Sequence, residues 1–339
     1  MYSDHFGLSE RPFQLTPDPH YWFESATHRK AMAYLGYGLA QGEGFIVITG
    51  EVGAGKTTLA SHLLGVVDPA RVHAVRIVSP QVAGDDVVRL VAAGLGLSDA
   101  GEKSALLARI EGDLAIRARA GQKALVVIDE AQNLPGETLE ELRILSNFQQ
   151  DGHAMVQILL LGQPELRNRL NHDEALEQLP QRVIATHHLT PMDAAEVEPY
   201  VRHRLHRAGW AGKPGIEPAA FEALHAHSGG IPRKINALMT RILMLAALEG
   251  RETVDPALVE AVVLDLEQDE TAGETPPAAP ASAHPDPHAL DLAARIAFLE
   301  AQSEEQGVAL RRVLRLLVEW VEADEGRNGG DPAHRAPAA

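Results

Sequence analysis

The chain has 339 residues, 45% of them hydrophobic, with 47 acidic and 30 basic side chains and a formal net charge of −17 at pH 7. That length supports two domains with additions, and the acidic balance argues against broad attraction to nucleic acid or to an anionic membrane surface, leaving room only for a local basic patch. No cysteine is present, which removes disulfides and thiolate metal sites; the absence of a signal-type N-terminus and of any run of 18 apolar residues makes a soluble cytoplasmic protein the expectation.

Residues 1–43 begin MYSDHFGLSERPFQLTPDPHYWF. Pro12, Pro17 and Pro19 oppose a regular helix there, while Phe6, Phe13, Tyr21, Trp22 and Phe23 need an apolar surface to cover. An extended arm packed across the next domain satisfies both demands. A helix from about Ser25, as its N-cap, to Gln41 follows.

The stretch Gly44 to Leu64, GFIVITGEVGAGKTTLASHLL, reads as a buried strand, a glycine-rich turn and a helix. Gly50, Gly55, Lys56 and Thr57 fit the pattern G-x-x-x-x-G-K-S/T, whose backbone N–H groups surround phosphates while the lysine reaches the outer phosphates and the hydroxyl holds Mg²⁺. Glycines at 50, 53 and 55 permit either a positive φ or close approach to the anion, and the helix N-terminus adds its dipole. ATP with Mg²⁺ is therefore the expected ligand, held by Gly50, Glu51, Val52, Gly53, Ala54, Gly55, Lys56, Thr57 and Thr58. The arm then has two readings: packing alone, or packing with contact to the adenine base.

HAVRIVS (residues 73–79) reads as a second strand, and the alanine- and leucine-rich residues 84–120 as helices. In ALVVIDEAQNL, the apolar run Leu125 to Ile128 is a short buried strand that delivers Asp129 and Glu130 at its carboxyl edge, where ligands of parallel sheets sit. Asp129 is the expected Mg²⁺ ligand together with Thr57, and Glu130 the general base toward water. An adjacent glutamate suits hydrolysis better than phosphoryl transfer to a second substrate, which must keep water out.

A helix over about 137–149 leads to a further buried strand, Val156 to Leu161, and then Gln163. Gln163 has two readings, contact with the γ-phosphate or its water, and the start of a turn with Pro164. Arg167, Arg169 and Arg182 follow, the last just before the strand VIATHHL. Arg182 reads either as a finger reaching a neighbouring subunit's nucleotide or as a surface ion pair.

From about Thr190 to Leu266 only helices are expected, with Gly229, Gly230 and Pro232 separating the last two and Arg233 in the first turn of a helix that buries Ile235, Leu238, Met239, Ile242 and Leu243. Arg233 is either an exposed side chain or the contact by which a lid touches the nucleotide. Residues 267–288, rich in proline, alanine and acids, read as a disordered linker. Beyond it, over 289–324, Leu292, Ile296, Leu299, Ser303, Gln306, Leu310, Val313, Leu317 and Trp320 recur at alternating steps of 4 and 3, a heptad seam for self-association, for partner docking or for packing on its own chain. Residues 325–339 read as a disordered tail. The sixteen histidines, His203, His206, His225 and His227 among them, show no metal-ligand spacing.

GEVGAGKTT, DEAQNL, LLGQPELR, LPQRV and GGIPRKIN, preceded by HFGL and RPFQLTPDP, together resemble the AAA+ secretion ATPases of the general secretion pathway protein A (ExeA-like) family, and most of all its exosortase/PEP-CTERM-associated branch. The resemblance spans about residues 1–265. It implies a P-loop NTPase α/β fold, a three-layer αβα parallel sheet of five strands, with arm and helix over 1–43, nucleotide domain over 44–190 and helical lid over 191–266. It implies Asp129 and Glu130 as Walker B acids, Gln163 near sensor 1, Arg182 as finger and Arg233 as sensor 2. It further implies homo-oligomers acting on secretion or polysaccharide-export machinery, at the inner membrane through a partner. Members often carry a basic residue where this chain has Pro180. Members that work at the cell wall add a membrane span and a peptidoglycan-binding domain, neither of which is read here, so wall binding is not carried over. A DNA-directed ATPase and a slow nucleotide-dependent scaffold remain the rival readings.

Overall fold

Apolar runs that fill both faces of a strand make it central in a sheet, and the computed structural model, which describes residues 2–78, 83–173 and 176–273, puts them there. The first such run is β1 (Phe45–Gly50), and β2 (Val72–Val78), β3 (Lys123–Asp129), β6 (Val156–Gly162) and β7 (Val183–Leu189) join it in one sheet. Its order is β2-β3-β6-β1-β7 and every pairing is parallel. Residues of β1, β3 and β6 divide by alternation between two cores. Phe45, Val47, Val126, Ile128, Ile158 and Leu160 face one; Ile46, Ile48, Leu125, Val127, Leu159 and Leu161 face the other.

The first core is closed by α4 (Gly84–Gly94), α5 (Lys103–Arg119) and α6 (Gly136–Ser146), and the second by α2 (Ala26–Gln41) and α3 (Lys56–Val66). The expected helix α2 starts from Ser25, whose hydroxyl lies 2.7 Å from His28 Nδ1 and accepts from the His28 N–H at 3.4 Å. Although grouped with the arm in the sequence, α2 packs on β7 and β1 as part of the sheet's own cover.

Several elements differ from expectation. α6 stops at Ser146, and residues 149–154 form a small antiparallel hairpin of β4 (Gln149–Gln150) and β5 (His153–Ala154). Asp151 and Gly152 turn it, both with positive φ, an Asp-Gly signal of the hairpin type. The segment after α7 (Pro164–His172) and β7 carries helices α8 (Ala194–Arg207), α9 (Pro218–Ser228), α10 (Pro232–Glu249) and α11 (Pro256–Gly273), but also two short strands, β8 (Gly215–Ile216) and β9 (Thr253–Val254), paired in parallel. α11 continues into residues 267–273, so the first part of the stretch read as a linker is helical; its acids and glutamine are tolerated in a helix. The remainder of that linker, the heptad seam and the tail lie outside the described residues.

The arm is not wholly extended: α1 (Tyr2–Phe6) precedes its first proline, where nothing prevents a helix. Nor does it cover only the nucleotide domain. Tyr2, Phe6, Leu8 and Phe13 enter the core of the helical lid, beside Val201, Leu205, Ile235 and Met239. Phe13 is 2% exposed, and burial of one such side chain is worth roughly 1.5–3 kcal/mol. Trp22 turns the other way, packs against the α2–α3 core and stacks on His62 at 4.2 Å. The arm therefore ties sheet and lid together. Among the described residues no helix is long and apolar enough to cross a membrane.

Candidate functional site

The loop between β1 and α3 is shaped by its glycines for two different reasons. Gly53 and Gly55 hold φ of +86° and +95°, open to glycine at no steric cost, whereas Gly50 lacks a positive φ and is instead closely enclosed: an added Cβ would lie 3.0 Å from Leu189 Cβ. Behind Gly55, His28 Nε2 would lie 2.7 Å from such a Cβ, so the histidine supports the underside of the loop. Helix α3 starts at Lys56 with no side-chain cap, which leaves its first-turn N–H groups for a ligand.

Lys56 is 5% exposed, and its ammonium donates to the carbonyls of Gly50 at 2.7 Å and Glu51 at 3.1 Å. Burial pushes its pKa below the usual lysine value, against the pull of Glu130, Asp129 and Glu51. The Thr57 hydroxyl donates to Asp129 Oδ2 at 2.8 Å across the loop. Asp129 is 3% exposed and also accepts from the Glu130 N–H at 3.1 Å. A buried carboxylate beside a hydroxyl is a hard oxygen donor set, and these residues fit Mg²⁺.

Glu130 sits in the left-handed region at φ 56°, rare for a residue with a side chain. That turn sends the chain into the 3₁₀ segment Ala131–Asn133, and Gln132 comes back to Glu130. Gln132 Nε2 donates to Glu130 Oε2 at 2.6 Å while its Oε1 accepts from the Gln163 N–H at 3.0 Å. Gln163 begins α7 before Pro164, as the turn reading has it, and its own amide lies 3.5 Å from Glu130 Oε2. Arg169 donates to the carbonyls of Gln132 and Leu134, both at 2.8 Å, and so anchors this turn.

Arg233, at the start of α10, touches the loop: its N–H donates to the Gly53 carbonyl at 3.3 Å. With Lys56, Thr57, Glu130 and His28 it lines one cleft, closed by arm residues 14–18 and 21–23 and by lid residues Tyr200, Arg204 and Asn236. Arg182 lies elsewhere. It precedes Val183, which pairs with Phe45 at the opposite end of β1 from the loop, roughly 20 Å away at about 3.3 Å per residue. Among the described residues its guanidinium forms no ion pair.

Sequence reasoning missed Gln132, Arg76 and the lid residues of the cleft. Gln132 stood in the DEAQNL run, two places from Glu130, and a tight turn there was the available signal. Arg76 of β2 reaches Ser61 Oγ at 3.2 Å and Asp129 Oδ2 at 3.5 Å, a contact that follows from the pairing of β2 with β3 rather than from any spacing.

The fold is that of the P-loop AAA+ ATPases. Residues 39–170 match the family model described as an AAA domain. Over 257 residues the chain is 40% identical to general secretion pathway protein A of Aeromonas hydrophila, an alignment that takes in 75% of this chain and 46% of that protein. The chain thus spans about half the length of that relative. Among solved structures, Cdc6p of Pyrobaculum aerophilum superposes with a TM-score of 0.57 at 16% identity, covering 81% of this chain and 74% of that one. The ORC1 protein of Aeropyrum pernix in complex with DNA gives 0.54 at 18%, covering 79% and 73%, and the ADP form of its ORC2 protein gives 0.53 at 18%, covering 74% of each. At these identities the likeness concerns the fold.

Proposed function

We propose that this protein is an AAA+ ATPase that hydrolyses ATP to ADP and phosphate and uses the resulting rearrangement of lid and subunit interface to act on a secretion machine. The observation that carries the reading is the buried Asp129 bonded at 2.8 Å to Thr57 beside Glu130, on one cleft with Lys56. Lys56 and the loop N–H groups hold the β- and γ-phosphates. Thr57 and Asp129 hold Mg²⁺, which when bound screens the phosphate charge. Glu130 takes a proton from water as its oxygen attacks the γ-phosphorus; the bond to the bridging oxygen breaks and its electron pair leaves on ADP. Gln132 and Gln163 fix where the Glu130 carboxylate points. Arg233 contacts the nucleotide from the lid, and Arg182, too far from its own loop, serves the nucleotide of a neighbouring subunit in a homo-oligomer.

The secretion context is supported by the 40% identity to general secretion pathway protein A. The exosortase/PEP-CTERM and exopolysaccharide branch, a cytoplasmic location and peripheral attachment to the inner membrane through a partner are finer readings that rest on the motif resemblance. The rival DNA-directed reading draws on a fold likeness at 20% identity or less, and the net charge of −17 weighs against it.

The test is ATP turnover per subunit against protein concentration for the native chain, Arg182→Ala and Glu130→Gln. Specific activity should rise with concentration in the native chain, stay low and flat in Arg182→Ala, and vanish in Glu130→Gln while both variants bind ATP. Unchanged turnover in Glu130→Gln would instead make the protein a slow scaffold, and turnover indifferent to both concentration and Arg182 would remove the shared site.

A further inference from the structure

The lid wall of the cleft holds a charge that hydrolysis leaves unused. Arg204 of α8 is 6% exposed. Its guanidinium carbon lies 4.8 Å from the ring of Tyr21 in the arm and 5.6 Å from that of Tyr200. Nη1 donates to the Tyr200 hydroxyl at 2.8 Å, and that hydroxyl donates on to Asn236 Oδ1, again at 2.8 Å. Nε is buried with no partner, and among the described residues no carboxylate pairs with the group. A guanidinium has five N–H donors and no acceptor. Withdrawn from water, it is unfavourable unless acceptors replace what it lost, and two aromatic faces with one hydroxyl replace only part.

Tyr21, Tyr200, Arg204 and Asn236 line the same cleft as Lys56 and Arg233. With the phosphates drawn to Lys56 and the loop, the part of the ligand left for the lid wall is the neutral nucleoside, whose ribose oxygens and ring nitrogens are acceptors. We propose that Arg204 binds the nucleoside of the bound nucleotide through these acceptors, and that Tyr21, stacked on the same guanidinium, brings the arm down onto the ligand with the lid. This rests on the reading that the loop holds a nucleoside triphosphate. Arg204 is then a specificity residue: it distinguishes a nucleotide from bare polyphosphate and makes arm and lid respond together.

The test measures affinity of the full chain for ATP, 2′,3′-dideoxy-ATP and inorganic triphosphate, in the native protein, Arg204→Met and Arg204→Lys. Arg204→Met should weaken ATP about tenfold, roughly one charge-assisted hydrogen bond, and leave triphosphate unchanged. Arg204→Lys, which keeps the charge but not the planar fork, should fall between and serves if the methionine variant does not fold. If the gap between ATP and its dideoxy analogue closes in the variants, the acceptor is the ribose; if it persists, the acceptor is the base. Equal weakening of ATP and triphosphate, or no change in either, overturns the assignment. Failure of the native chain to bind either ligand overturns the nucleotide reading with it.

Discussion

The main-chain N–H of Arg233 donates to the carbonyl of Gly53 at 3.3 Å, so the first turn of the last cleft helix rests on the phosphate loop itself. Gly53 has φ +86°, and a Cβ there would lie 2.5 Å from Arg233 Cβ. Gly53→Ala therefore strains the loop and pushes α10 off it. The expected result is a loss of about 1–3 kcal/mol in stability, with weaker nucleotide binding, read by denaturant melts and by titration with a fluorescent ATP analogue. Native affinity in the variant would mean that the lid contact is dispensable.

The hydroxyl of Thr57 and the carboxylate of Asp129 share one hydrogen bond and are the groups assigned to Mg²⁺. Asp129→Asn and Thr57→Ala should each raise the free Mg²⁺ needed for half-maximal turnover by roughly tenfold or more, the loss of a charged or hydroxyl ligand. Nucleotide binding in EDTA should survive in both. A Mg²⁺ dependence identical to that of the native chain would remove the pair from the metal site.

Gln132 gives one end of its amide to Glu130 and the other to the Gln163 N–H. Gln132→Ala releases both. Turnover should fall roughly tenfold, less than the 10²–10⁴ associated with loss of a general base, while the KM for ATP moves little. A variant in which KM rises and kcat is kept would place Gln132 in binding instead.

Burial pushes the His28 imidazole from its usual 6.5 down to about 4, opposed by Glu196 and by the Ala54 backbone. Unfolded His28 takes up a proton below pH 6.5, and the folded chain resists it until about pH 4. Stability should therefore fall as pH drops through that window, this one group accounting for about 3 kcal/mol when fully expressed. His28→Gln should flatten the curve. Urea midpoints at pH 7 and pH 5 for both chains decide it, parallel dependence being the adverse result.

The glycine-rich loop, the Asp129–Glu130 pair and the three central strands β1, β3 and β6 were legible because each is written within a few consecutive residues. A continuous apolar run is what a strand covered on both faces demands, and Gly-Lys-Thr at its end needs no distant partner to be recognised. Ser25 was legible as a cap for the same reason. The hairpin at Asp151-Gly152 carried its signal too, but its two-residue strands are too short to show alternation.

Other features depended on the sheet order β2-β3-β6-β1-β7, which no local pattern states. It puts Arg76 beside Asp129, and it brings β3 and β6 together so that Gln132 can join Glu130 to Gln163. It also sets Arg182 at the far end of the strands from its own loop. The arm shows the limit most clearly: its aromatics announced that they must be covered, yet Phe13 is buried in the lid while Trp22 stacks on His62 of the sheet's cover. Hydrophobic burial has no direction of its own, so the sequence by itself determined that these rings need cover. Only the tertiary structure decided against what they pack, and with it the pairing of Tyr21 with Arg204 across the cleft.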